Sequence, residues 1–273
     1  MKLNATKKTM AAVLPLTLML SACSGLDFSK SLNPFKEGQA KTQEHQEKIN
    51  PKKEVNEEIL TLEEPFFNQI REVNGKQTIA NPENRMVLVN KEFSLPADYE
   101  PADLVSPNVP FSFGDAEVPQ RYIRKEAAAA LERLFAQASK EGVELFAVSG
   151  YRSYERQTGI LNVEKERKGD TTALETVALP GQSEHQTGLA MDVTSKSADM
   201  DITEKFGDTP EGKWVQANAH KFGFIIRYQK GKEEITKFSY EPWHLRYVGV
   251  KEATEIVENQ LTLEEYFKKV KKI

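Results

Sequence analysis

The decapeptide Ser183-Glu184-His185-Gln186-Thr187-Gly188-Leu189-Ala190-Met191-Asp192 constrains this chain more than any other stretch, because it combines a histidine, an aspartate and a glycine turn with no hydrophobic run long enough to be ordinary core. A partner stands downstream at Glu241-Pro242-Trp243-His244. Together the motifs offer two imidazoles, one carboxylate to ligate and one to spare. That is the inventory of a catalytic zinc site: three protein ligands, an open fourth position and a general base. Each residue alone is better read as a hydrogen-bonded histidine or a solvated acid; the four together are not. His185 and Asp192 are spaced as on one helix face, but Gly181, Gly188 and the flanking Thr and Val residues oppose a helix. A loop through Gly188 into a strand is expected instead. On it Ala190, Asp192 and Thr194 face a site, and Leu189, Met191 and Val193 face a core. Pro242 biases Glu241 toward extended backbone, after which His244, Arg246 and Val248 are expected to share a strand face.

The pattern S-x-H-x-x-G-x-A-x-D followed by E-P-W-H resembles the zinc D-alanyl-D-alanine carboxypeptidases of the VanY type, with their L,D-carboxypeptidase relatives. Their wider group includes lysostaphin-like endopeptidases and the zinc domain of Hedgehog proteins. Ser149-Gly150-Tyr151-Arg152-Ser153, with Gln157 behind it, falls where that family carries S-G-Y-R-S. The resemblance runs from about Met86 to Gly249, with no departure at the ligand positions. It implies an α+β fold, a small antiparallel sheet flanked by helices, of the Hedgehog/DD-peptidase-like zinc domain type.

It also implies one Zn2+ per chain, held by His185, Asp192 and His244, with Glu241 as general base. Arg152 is expected to stabilise the tetrahedral intermediate or to hold a terminal carboxylate, since a guanidinium offers paired donors. Ser183 is expected to bond substrate or the groups behind the metal; Tyr151, Gln157 and Trp243, with Arg227 and Tyr228 at the end of a predicted strand, are further substrate-contact candidates. The implied reaction removes a C-terminal D-alanine from a peptidoglycan stem peptide. The D,D reaction on a pentapeptide and the L,D reaction on a tetrapeptide share these motifs, so both stay open. An endopeptidase is an alternative, although lysostaphin-like members resemble H-x-H where Trp243-His244 stands here. A reading of another class is a zinc-stabilised module that binds wall peptides without cutting them. Glu241 discriminates, since a binding module has no need of a base beside the metal.

The start of the chain reads as targeting. Lys2, Lys7 and Lys8 precede the apolar run Met10 to Leu20, too short to be a comfortable transmembrane helix. It ends in Leu20-Ser21-Ala22-Cys23, which resembles a bacterial lipobox, so residues 1–22 are expected to be removed and Cys23 to carry lipid. Cys23 is the only cysteine, which excludes an intramolecular disulfide. Residues 23–63 are polar and nearly free of large apolar side chains, as in a disordered tether. The expected protein is therefore a monomer on the outer face of a bacterial cell membrane, meeting peptidoglycan stem peptides. Its net charge of −4 makes nucleic acid a poor partner.

The folded domain is expected over 64–273, opening with a short strand at Met86–Val89. Five prolines between 96 and 120 predict a surface loop. Ile123, Ala127, Leu131, Leu134 and Ala138 form a helical stripe stopped near Gly142. Val143 to Val148 predicts a strand that delivers Arg152 to its end, and Tyr154 to Lys168 predicts a charged helix. A helix over Gly212 to Phe222, a strand over Phe224 to Tyr228 and closing helices over 251–271 complete the expectation. His220 reads as a core or capping histidine, Asp199 and Asp201 as a solvated loop, and the lysines from 268 to 272 as a solvated helix face or tail.

Overall fold

The computed structural model describes residues 59–273. Cys23, the expected signal segment and nearly all of the expected tether lie outside the described residues. In chain order the strands are β1 (Thr61–Leu62), β2 (Ile70–Val73), β3 (Lys76–Ile79), β4 (Phe93–Ser94), β5 (Leu104–Val105), β6 (Ile123–Arg124), β7 (Phe146–Ser149), β8 (Ala190–Thr194), β9 (Phe224–Tyr228), β10 (Glu241–Tyr247) and β11 (Lys271–Lys272). The helices are α1 (Lys125–Lys140), α2 (Tyr154–Lys168), α3 (Asp170–Thr176), α4 (Lys205–Asp208), α5 (Pro210–Asn218), α6 (Glu233–Thr236), α7 (Val250–Glu258) and α8 (Leu263–Lys269). Among the described residues no helix is long and apolar enough to cross a membrane.

The centre is a four-stranded antiparallel sheet in the order β7-β8-β10-β9. Its register positions the site. Asp192 on β8 stands opposite His244 on β10 and opposite Ser149 on β7, while Glu241 stands opposite Tyr228 on β9. Alternation puts Met191 and Val193 into the core and Asp192 on the other face. The stripe read from the sequence is the buried face of α1: Ala127, Leu131, Leu134 and Ala138 are fully enclosed beneath the sheet residues Met191, Val193 and Leu245. Small alanines at four buried α1 positions, Ala127, Ala128, Ala130 and Ala138, let the helix approach closely. A second apolar cluster joins α7 and α8 through Ile256, Leu263 and Tyr266 to Met86, Leu88 and Val248.

Several expectations needed revision. Met86–Val89 is buried but forms no strand. Side chains do the work a ladder would do: Asn84 accepts from the Met86 N–H, Asn68 bonds both backbone groups of Leu88, and Arg246 donates to the carbonyls of Arg85 and Val87. The proline-rich loop contains β5, paired antiparallel with β6. The lysines from 268 to 272 are exposed as expected, but the backbone of Lys271–Lys272 also pairs in parallel with Thr61–Leu62. That pairing buries Leu62, so the fold includes residues just before the expected boundary at 64.

Candidate metal centre and catalytic cleft

His185 lies in a single 3-10 turn, Glu184–Thr187, which Gly188 ends with φ of 65°. A Cβ at Gly188 would come within 2.9 Å of Leu104, so glycine suits both the left-handed backbone and the space. The turn sets His185 against the end of β7, where its Nδ1–H donates to the Gly150 carbonyl at 2.8 Å. Gly150 is equally constrained. A Cβ there would stand 2.4 Å from the Tyr122 carbonyl oxygen and 2.7 Å from the Ile123 side chain. With Nδ1 committed, His185 turns Nε2 toward Asp192 Oδ2 at 3.4 Å.

His244 is held the other way round. Its Nε2–H donates to Glu184 Oε2 at 3.3 Å, and Nδ1 faces Asp192 Oδ1 at 3.0 Å. The two imidazoles are nearly perpendicular, 86° apart, with centroids 4.9 Å from each other. One donor atom from each of His185, Asp192 and His244 therefore lies within 4.8 Å of the other two, all buried. This set fits a borderline dication such as zinc: each ring has one nitrogen fixed by an outer partner and the other turned toward the Asp192 carboxylate that lies between them. Burial, with help from Arg152, pushes the His185 imidazole down to about 3, toward the neutral form a ligand needs. Burial also works against a proton on His244, but its bonds to Asp192 and Glu184 outweigh it and raise the group. A bound cation would take over that proton's balancing role.

Glu241 and Trp243 share this cleft with His244, which a regular strand would forbid, since Glu241 and His244 are three apart and should face opposite sides. The β9–β10 register shifts between Glu241 and Leu245, and this bulge turns Glu241 inward. Its carboxylate lies 3.9 Å from His244 Nδ1 and is about a quarter exposed (24%). Burial pushes it up to about 7. Arg152 projects into the same cleft just beyond β7, with Nη1 donating to Gln157 Oε1 at 3.0 Å and Nη2 to Ser149 Oγ at 3.3 Å. The walls add Ser183, Tyr228, Trp243, Phe238, Ile160, Val177 and Ile202 around about 190 Å³, room for the end of a peptide.

The structure thus brings His185, Asp192, His244, Glu241, Arg152, Ser183, Gln157, Tyr228 and Trp243 together, but not every candidate. Tyr151 is buried and does not line the cleft, because neighbouring residues in extended backbone project to opposite sides and Arg152 takes the cleft side. Arg227 likewise alternates with Tyr228 and is fully enclosed behind the site, paired with Glu184 and Glu264. Gln157 lines the cleft, but its amide is spent on Arg152 and on the Ala178 carbonyl, so it orients Arg152 more than it meets substrate. Sequence reasoning missed Ser149, Glu184 and Arg246. A charged residue inside an otherwise apolar strand, as in Phe224-Ile225-Ile226-Arg227-Tyr228, is the one signal of a buried ion network that was available.

A buried His/Asp/His cluster on an antiparallel sheet, sharing a cleft with a carboxylate and a guanidinium, has the parts of a metallopeptidase. Known proteins agree. The model of the VanY family, D-alanyl-D-alanine carboxypeptidase, matches residues 120–250. The chain is 52% identical over 266 residues to the YodJ protein of Bacillus subtilis (strain 168), covering 97% of each. It is similar to the solved LdcB LD-carboxypeptidase, with 60% identity and a TM-score of 0.77 over 79% of this chain and all (100%) of that one. It is also similar to a mutant of the vancomycin-resistance D,D-pentapeptidase VanY in complex with Zn(II), at 35% identity and a TM-score of 0.54, over 67% of this chain and 98% of that one. This chain belongs to the VanY family of D-alanyl-D-alanine carboxypeptidases and is a peptidase of the carboxypeptidase type.

Proposed function

We propose that this carboxypeptidase is a zinc enzyme that removes the terminal D-alanine from peptidoglycan tetrapeptide stems, an L,D-carboxypeptidase. The observation that carries the reading is the convergence of His185, Asp192, His244, Glu241 and Arg152 on one cleft. The three ligands would hold one zinc per chain, and zinc supplies a Lewis acid for amide hydrolysis. Glu241, raised to about 7, is poised near neutrality to accept a proton from water and return it to the leaving amine. Arg152 is the one guanidinium lining the cleft among the described residues. Its paired donors match the carboxylate that ends a stem peptide, and that contact favours chain ends over internal bonds. Ser183, Tyr228 and Trp243 line the walls against which the preceding residue lies.

The L,D choice is supported by the 60% identity to the LD-carboxypeptidase against 35% to the D,D-pentapeptidase. Glu241 favours catalysis over a purely binding role. The same reading tethers the chain outside the bacterial membrane through lipid on Cys23, supported by Leu20-Ser21-Ala22-Cys23 after a short apolar run. The test is mass spectrometry of tetrapeptide and pentapeptide muropeptides incubated with the purified protein. Loss of one alanine from the tetrapeptide is the expected result. Trimming of the pentapeptide alone would make the enzyme D,D-specific, and trimming of neither, with zinc bound, would favour the binding module.

A further inference from the structure

Behind the cleft runs a chain of buried charges that takes no part in the chemistry above. Glu184 Oε1 accepts from Arg246 Nη1 at 2.6 Å and from Arg227 Nε at 2.8 Å, while its Oε2 holds His244 Nε2 at 3.3 Å. Arg227 turns its other two nitrogens on Glu264, Nη1 to Oε2 at 2.9 Å and Nη2 to Oε1 at 2.6 Å, a two-toothed fork. Both guanidiniums are fully buried. Glu264 belongs to α8, a helix fixed by the Thr262–Glu265 capping box and by the enclosed side chains of Leu263 and Tyr266. Two cations and two anions balance. Apolar side chains often serve a core at least as well as a buried ion network does, so packing alone is a poor account of this one.

We propose that Glu264 is a positioning residue for the metal centre. It holds Arg227, Arg227 holds Glu184, and Glu184 fixes the His244 ring with Nδ1 turned to Asp192. The inference rests on the reading of His185, Asp192 and His244 as zinc ligands. Its logic is that Glu184 is held from two sides. On one side Arg246 is anchored independently, by the carbonyls of Arg85 and Val87. On the other side Arg227 depends on Glu264. Without the Glu264 charge, Arg227 keeps Glu184 as its one carboxylate partner and draws it away from His244. The last helix among the described residues, α8, thereby reaches the metal site without touching a ligand.

The test measures the zinc dissociation constant by chelator competition, alongside the melting temperature of the metal-free protein. Glu264→Gln is expected to weaken zinc binding about tenfold, the low end of what loss of a partner behind a ligand costs, while KM at saturating zinc stays within about twofold. Tyr266→Phe, on the same helix, removes a 2.6 Å bond to Glu255 and is expected to lower the melting temperature with zinc affinity unchanged. The double variant Arg227→Met/Glu264→Leu removes the ion pair without leaving a lone charge and is expected to fold yet bind zinc about tenfold more weakly. Wild-type zinc affinity in a folded Glu264→Gln or double variant would overturn the proposal. So would an equal loss in Tyr266→Phe, or failure of both Glu264 variants to fold, which would make the pair a requirement of folding alone. A wild-type protein that binds no zinc would instead sink the underlying site reading.

Discussion

Glu241 and Arg152 line one cleft but act on different parts of the proposed reaction, so their variants should separate. Glu241→Gln keeps the shape and removes the base. It is expected to lower kcat by about 10²–10⁴-fold, the usual contribution of general acid–base catalysis, with zinc content unchanged by metal analysis. Equal loss of zinc would mean that Glu241 is a ligand instead. Arg152 is held by Gln157 and Ser149, so its fork is oriented before substrate arrives. Arg152→Met is expected to lower kcat/KM by about 10²-fold, about the cost of removing a charge-assisted contact. The same variant should discriminate little between a free C-terminus and its amide, whereas the wild type should strongly prefer the free acid. If the wild type cleaves both equally well, Arg152 acts on the developing oxyanion and not on the terminal carboxylate.

The elements show why the three proposed ligands meet: Asp192 and His244 are directly opposed across β8 and β10, and His185 hangs from the turn that enters β8. The end of β7 is the tightest point. Gly150→Ala would drive a methyl into the Tyr122 carbonyl and the Ile123 side chain and displace the carbonyl that fixes His185. It is expected to cost about 1–3 kcal/mol, as overpacking does, and to weaken zinc binding as well; a thermal melt and a zinc titration check both. Much of this was legible in the sequence. The glycine-broken approach to Asp192, the alternation along β8 and the stripe of α1 follow from local periodicity and backbone preference, which neighbouring residues encode. What was not legible depends on partners distant in sequence. The bulge that turns Glu241 inward is a property of β9 against β10. Met86–Val89 looked like a strand because most of its backbone partners are side chains distant along the chain, Asn68 and Arg246. Arg227 was legible as a charged residue at a strand end but not as a buried one, because Glu264, which balances it, arrives only with α8.

At the scale of the whole molecule, the site is a buried concentration of charge that the fold tolerates because partners surround it. The centre gathers Asp192 and Glu184 around His244, and a dication binding there should stabilise the native state over the unfolded chain. Linkage sets the size of the effect. At a free zinc concentration about a hundredfold above the dissociation constant, the gain is about 2.7 kcal/mol, or about 5–11 °C in Tm for a domain of this size. Chelator-stripped wild type is therefore expected to melt lower, to lose alanine release, and to regain both on adding zinc. Glu241→Gln should show the same rise in Tm without the activity, because its fold and ligands are intact. Asp192→Asn should show neither, since it removes the one anionic ligand from between the two imidazoles. A Tm that ignores zinc in the wild type would sink the zinc reading of the cleft, and a rise of equal size in Asp192→Asn would place the stabilising metal elsewhere in the protein.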